Sequence, residues 1–88
     1  MADSEAPAGE EELLRQIQHL DVRQFVATAA STLASLAYAK LEGGDLPQAR
    51  IAIDGMAALA PLLEGDPQRD LTRALTGLQV AYAGALRS

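Results

Sequence analysis

The sequence has no cysteine and no tryptophan, a single histidine, and only three aromatic residues. Without cysteine, disulfides and thiolate metal sites are excluded, and nothing points to an oxidising compartment. Strand signals are also scarce, because β-branched residues are few and no segment alternates between apolar and polar residues. The apolar residues are mostly Ala and Leu, the strongest helix formers. These features predict an all-α protein.

The negative charge is confined to the beginning of the chain. Of the twelve acidic residues five lie before residue 13, and from there on acids and bases are equal in number. We therefore predict an acidic disordered tail over residues 1–12 and a single helical domain over residues 13–88. A neutral body beside an acidic tail lacks the positive patch that binds nucleic acid or an anionic membrane.

Targeting and membrane signals are weak. The first twelve residues lack the basic and apolar regions of a signal peptide. The longest uncharged run, residues 24–39, is shorter than the ~20 strongly apolar residues that cross a bilayer. Arg outnumbers Lys, and Ala and Gly are abundant, which is typical of a GC-rich bacterial genome. We expect a cytoplasmic protein without a membrane partner.

Helix signals divide the body into three long helices. The first begins at the N-cap Asp21 and ends at Gly43-Gly44, where Gly accepts the left-handed conformation of a helix C-cap. The second begins at Asp45 or Leu46, with Pro47 in its first turn. Whether residues 10–19 form a further short helix is left open. The predicted fold is an antiparallel three-helix arrangement with a short N-terminal helix or a disordered acidic tail.

Two signals place the junction between the second and third helices. Pro61 should bend or end the second helix, because its ring clashes with the carbonyl group of Ala57. Asp66 is expected to cap the third helix, with Pro67 at its first position. The connections are short, so neighbouring helices should pack against each other.

Apolar residues recur at the helix period and predict the buried faces. The first helix has one stripe made of Val22, Phe25, Val26, Ala29, Leu33, Leu36, Ala37 and Leu41. It has a second face of small residues, among them Ala30 and Ala34. The second helix is apolar on two sides, one led by Ile53 and Met56, the other made of Ile51, Gly55, Ala58 and Leu62. The third has Leu71, Leu75, Leu78, Tyr82 and Leu86.

Candidate catalytic groups are few. His19 lacks a second His or a Cys as a metal co-ligand and is expected to be exposed near a helix end. The hydroxyl residues of the first helix, such as Ser31 and Thr28, have no identifiable base. Asp54 is expected to pair with Arg50 or Arg73 rather than to act as a lone acid. We therefore expect no enzymatic activity, no metal and no cofactor.

One helix pair around Gly44 also matches a single tetratricopeptide unit, although such units normally need at least three copies for stability. A wider resemblance covers residues 22–82. The segment Ala49-Arg50-Ile51-Ala52-Ile53-Asp54, followed by Leu59, Gly65-Asp66, Leu71, Leu78 and Tyr82, resembles the bacterial family called domain of unknown function 1844. Gly55, Pro61 and the lack of glutamates in the last helix depart from that family's pattern. The resemblance implies a helical cytoplasmic protein of unknown activity, with a weak link to translation through neighbouring genes.

The second helix is apolar on two sides, and the first helix has an additional face of small residues. Their combined apolar surface is larger than a lone three-helix body can cover. Surplus apolar surface usually marks an interface. We predict a non-enzymatic protein–protein interaction module that forms a homo-oligomer, favouring a dimer, through Ala30, Ala34, Tyr38, Ile51, Gly55, Ala58 and Leu62. The alternative is an adaptor or regulator whose acidic tail docks on a larger, translation-related complex. A small helical ligand carrier would need a cavity lined by Leu and Met.

Overall fold

The structure is a computed structural model that describes the backbone of residues 2–88 and the side chains from residue 9 onward. Four α-helices make up these residues: α1 (Ala2–Gln18), α2 (Val22–Glu42), α3 (Leu46–Leu59) and α4 (Gly65–Arg87). A 3₁₀ turn, Ala60–Leu62, joins α3 to α4. Over residues 2–88 there is no strand. The all-α prediction is confirmed.

The first helix differs from the expected tail. The structure gives helix over Ala2–Gln18, whereas the sequence predicted disorder over residues 1–12 and left residues 10–19 open. Glu, Leu, Gln and Arg dominate the second half of this segment, and all of them favour helix. The boundary expected after residue 12 falls inside α1. Where the folded domain begins therefore stays a prediction.

The starts of α2 and α3, and the turn between the two helices, follow the predicted signals. Asp21 is the N-cap of α2, and its carboxylate accepts a hydrogen bond from the backbone N–H of Arg23 at 3.0 Å. Asp45 caps α3 by accepting from the backbone N–H of Gln48 at 3.3 Å. Between the helices, Gly44 has a φ of 79°, a conformation that a Cβ atom disfavours. Because of Gly44 the chain reverses within three residues.

The end of α3 is confirmed, and the cap of α4 needs correction. The α-helix stops at Leu59, and Pro61 lies in the 3₁₀ turn. The N-cap of α4 is Glu64, in extended conformation, and the helix begins at Gly65, so Asp66 is not its cap. Asp66 instead lies in the first turn, where the helix dipole favours a carboxylate, and it pairs with Arg69 at 3.3 Å.

Helices α2, α3 and α4 pack against one another in all three combinations. Gly55 of α3 faces Leu33 of α2, and the two residues are equally far from Gly44, so α2 and α3 form an antiparallel hairpin. Arg50 at the start of α3 lies over the Tyr82 ring near the end of α4, which makes α3 and α4 antiparallel as well. The predicted three-helix arrangement is therefore present in α2–α4.

The core combines four alanines with five larger apolar side chains. Met56 and Leu78 are its largest fully buried side chains. The buried residues are Ala30, Ala37, Ala49, Ala52, Ile53, Met56, Leu63, Leu71 and Leu78.

The predicted stripe of α2 is correct in part. Ala37 is buried and Val26, Leu33 and Leu41 pack against the core as predicted, whereas Val22, Phe25 and Leu36 are exposed. Ala30, which the sequence placed on a second face, is buried as well. Small residues let the helix axes approach closely, and this contact decides the rotation of α2. In α4, Leu71, Leu75, Leu78 and Tyr82 lie in or against the core as predicted, whereas Leu86 is exposed.

Candidate interaction surface

Helix α3 has two apolar sides, and only one of them is covered. Ala52, Ile53 and Met56 are buried against α2 and α4. On the far side, Ile51 is 64% exposed and Leu62, at the end of the following turn, is 58% exposed. The sequence-predicted second stripe of this helix is therefore present, and it faces solvent in the single chain.

Gly55 fixes how this side of α3 meets α2. A Cβ atom built on Gly55 would come within 3.0 Å of the Leu33 Cδ1 atom, so the missing side chain allows the two helices to pack closely. Because Leu33 and Gly55 are equally distant from the turn at Gly44, residues at matching distances from that turn lie side by side. Leu36 is then nearly level with Ile51, and Phe25 is nearly level with Leu62.

The apolar residues that flank this contact form one continuous surface. On α2, the half-buried Ala29 and the exposed Leu36 lie one turn before and after Leu33, on the flank of the helix next to its core-facing side. On α3, the exposed residues lie one and two turns from Gly55. We call this surface the outer face: Phe25, Ala29 and Leu36 from α2 and Ile51, Ala58 and Leu62 from α3, with Leu33 and Gly55 between the two rows.

The seven residues predicted for an interface separate into three groups. Ile51, Ala58 and Leu62 lie on the outer face, with Gly55 at its centre. Ala30 is buried within the chain, so it serves the packing of the three helices and is not available to a partner. Ala34 is half-buried, and Tyr38, one turn later, is 52% exposed on the side of α2 away from the outer face.

Sequence reasoning missed half of the outer face. Phe25, Ala29 and Leu36 were assigned to the core, although Phe25 is 68% exposed. Their helical spacing is correct, but α2 is apolar or small around most of its circumference. Periodicity alone therefore could not decide which side turns inward.

A depression lies between α2 and α4. It has a volume of about 390 Å³, opens to solvent, and is lined mainly by small and polar residues such as Ala27, Thr28, Ser31, Asp66 and Asp70. Met56 is not among its lining residues, because it is buried in the core. This lining does not match the Leu- and Met-rich cavity that a ligand carrier would need.

Two of the hydroxyl groups considered as nucleophiles donate hydrogen bonds to the backbone. Thr28 donates to the Gln24 carbonyl oxygen at 3.1 Å, and Thr32 donates to the Thr28 carbonyl oxygen at the same distance. Ser31 is exposed, and His19 lies in the turn after α1, outside the helix that carries these hydroxyls. The structure therefore does not bring a nucleophile and a base together at these residues.

Asp54 forms the predicted pair with Arg50 rather than with Arg73. The Arg50 Nε atom donates to the two carboxylate oxygens of Asp54 at 3.3 and 3.2 Å. The Arg50 guanidinium also lies 6.0 Å from the centre of the Tyr82 ring. Tyr82 first, and Asp54 second, raise the pKa of Arg50 above its ordinary value. Arginine stays charged at every physiological pH, so Arg50 forms an ion pair with Asp54 and does not transfer protons.

The described part of the chain has neither a cluster of metal ligands nor a membrane-spanning helix. Among the residues that the structure describes, no group of three or more His, Asp or Glu side chains is placed to hold a metal ion. None of the helices over residues 2–88 has the length and apolarity needed to cross a bilayer. The expectation that the chain has no metal and no membrane partner stays a prediction.

Comparisons with known proteins returned no match: no protein-family model, no curated protein and no solved structure is significantly similar to this chain. The resemblance to domain of unknown function 1844 therefore stays a prediction. The structure does give its motif a physical role. Ala49, Ala52 and Ile53 are buried, whereas Arg50 and Asp54 form the surface pair beside Tyr82.

Proposed function

We propose that this protein is a non-enzymatic interaction module that self-associates through the outer face, forming a homodimer. The observation behind the proposal is that the α2–α3 hairpin exposes large apolar side chains on one side. Its inner side buries four alanines together with Ile53 and Met56, whereas Phe25, Leu36, Ile51 and Leu62 are exposed on the outer face. Large apolar side chains usually lie inside a folded protein, and a contiguous exposed group of them usually marks an interface.

The accessible surface of the chain supports the same proposal. By the usual scaling of surface with mass, a compact protein of 9.2 kDa exposes about 4900 Å². This chain exposes 6392 Å². The excess is about 1500 Å², and α1, which contacts no other helix over the described residues, contributes to it together with the outer face. An interface of standard size takes ~800 Å² from each partner. The proposal includes the cytoplasm as the compartment, which the lack of cysteine supports.

The proposal is tested by placing charge on the outer face. In the double variant Ile51→Asp/Leu62→Asp, two carboxylates would have to be buried unpaired in the dimer, at a cost of several kcal/mol. We expect light scattering after size-exclusion chromatography to give a dimer for the native chain and a monomer for the variant.

The matched control is Val80→Asp, which alters a 68%-exposed valine on the outer side of α4. This control should keep the dimer. A native chain that is monomeric at micromolar concentration, or a double variant that dimerises as well as the native chain, would refute the proposal. Circular dichroism should show that each variant remains helical.

The alternative, an adaptor that docks its acidic segment on a basic partner, also has an observation in its favour. Helix α1 contacts none of the other helices over the described residues and carries Glu10, Glu11 and Glu12. This proposal predicts salt-sensitive binding to a basic protein surface that disappears when residues 1–12 are removed. A pull-down at low salt that gives the same partners with and without those residues would eliminate the acidic segment as the contact.

A further inference from the structure

Helix α1 is amphipathic and contacts no other helix over the described residues. Its apolar residues are Leu13, Leu14 and Ile17, followed by Leu20 in the turn, and each is at least half exposed. The opposite side carries Glu11, Glu12 and Arg15, and Arg15 pairs with Glu12 at 2.9 Å. An amphipathic helix gains most of its stability by packing its apolar side against another surface.

The outer face offers such a helix an apolar surface. Two antiparallel helices form it, and between them the Leu33 side chain packs against Gly55. Amphipathic helices bind apolar surfaces through residues spaced three, four and seven apart. Leu13, Ile17 and Leu20 have that spacing. They span about 10 Å, well within the ~16 Å between Phe25 and Leu36 along α2.

The direction of α1 separates it from the outer face of its own chain. With a rise of about 1.5 Å per residue, α1 is about 26 Å long and α2 is about 32 Å long. Placed end to end they account for most of the 61 Å length of the molecule, so α1 continues away from the body. The radius of gyration is 17.9 Å, against about 12 Å for a compact domain of this length.

We propose that α1 of each copy lies along the outer face of a second copy, so that two chains exchange their first helices. This inference rests on the proposed function and names what covers the outer face. A two-fold arrangement buries the apolar side of α1 and the outer face of both chains at once. The assembly closes at the dimer, because each chain donates its α1 to the partner and receives the partner's α1. The turn at residues 19–21 is the hinge of the exchange.

The absence of cysteine from the chain allows a direct test by disulfide trapping. Three single variants are prepared: Ile17→Cys on α1, Ala29→Cys on the outer face and Val80→Cys on α4. Ile17→Cys is mixed with each of the others in denaturant, refolded and oxidised. We expect the Ile17–Ala29 mixture to give mainly the mixed disulfide, about tenfold or more above the Ile17–Val80 mixture.

A chain with both Ile17→Cys and Ala29→Cys separates exchange from folding back. The exchange predicts a covalent dimer, whereas a disulfide formed only within one chain would show that α1 covers its own outer face and would overturn the proposal. Equal trapping with Ala29→Cys and Val80→Cys would also overturn it.

Substitutions on α1 give a second readout that does not depend on trapping. Leu13→Asp/Ile17→Asp should weaken dimerisation about tenfold or more, because each additional ~1.4 kcal/mol changes the dissociation constant by that factor. The body should stay folded, because α1 contacts no other helix over the described residues. The matched control, Glu11→Gln/Glu12→Gln on the polar side, should leave the dimer unchanged.

The outcomes distinguish this inference from the proposed function. A native dimer that resists Leu13→Asp/Ile17→Asp but dissociates with Ile51→Asp/Leu62→Asp would contradict the exchange and leave self-association through the outer face intact. A native chain that is monomeric would contradict both.

Discussion

The two sides of the α2–α3 hairpin are both apolar, but one is buried within the chain and the other is exposed. On the inner side, Ala37, Ala52 and Met56 are buried because α4 lies against them. On the outer side, Leu36 and Ile51 are exposed, although each is larger than the alanines opposite. The comparison shows that apolar spacing identifies sides that can be buried, and that helix proximity decides which one is buried within the chain. Four alanines on the inner side let the backbones approach closely, and Ile53 and Met56 fill the space beside them.

The sharpest test of this difference removes one large side chain from each side of α3. Met56→Ala leaves a cavity in the core and should lower the free energy of unfolding by about 2–5 kcal/mol. Ile51→Ala removes an exposed side chain and should change the stability of the body by less than about 0.5 kcal/mol. Urea denaturation at one low protein concentration measures both. Similar losses for the two variants would mean that the outer face is as well packed as the core.

Enlarging a small side chain on each side of the hairpin tests the same difference between the core and the outer face. Ala37 is fully buried, so Ala37→Leu should overpack the core and cost about 1–3 kcal/mol. Ala58 is exposed on the outer face, and Ala58→Leu should leave the stability of the body within about 0.5 kcal/mol. Thermal unfolding followed by circular dichroism compares the two. If Ala58→Leu destabilises the body as much as Ala37→Leu, the space above the outer face is already occupied within the chain.

Gly55 lies at the border of the two sides, and its substitution should change the stability of the body least. Gly55→Ala gains about 1 kcal/mol of helix propensity and brings a Cβ atom within 3.0 Å of the Leu33 side chain. The contacted atom is the end of a half-buried, flexible side chain that can turn aside. We expect the two effects to offset each other to within about 1 kcal/mol in urea denaturation. A loss of several kcal/mol would instead show that Leu33 is held rigidly.

The ends of the helices were largely predictable, since they depend on local chemistry. Asp21 and Asp45 cap their helices, Gly44 reverses the chain, and Pro61 follows the end of α3, as the sequence indicates. Asp66 is the exception among the caps. There the chain enters α4 from Glu64 through Gly65, which has a φ of 65°. The pair Asp66-Pro67 has the sequence of a helix start, but it lies two residues after the observed N-cap Glu64.

The rotation of α2 and the position of α1 were not predictable, since both depend on contacts between distant residues. α2 has apolar or small residues on most of its surface, so Phe25 and Ala30 were equally good candidates for the core. For α1, the spacing of Leu13 and Ile17 shows a helix with one apolar side, but nothing in the sequence says what covers it. The contact between Leu33 and Gly55 defines the outer face, and the sequence does not indicate that these two residues meet.

The central claim is that the outer face is covered by a second copy of the chain. Sedimentation equilibrium of the unaltered protein over micromolar concentrations tests it most directly. The claim predicts a mass near twice 9.2 kDa that falls toward the single-chain value on dilution. A mass of 9.2 kDa at every concentration would contradict it.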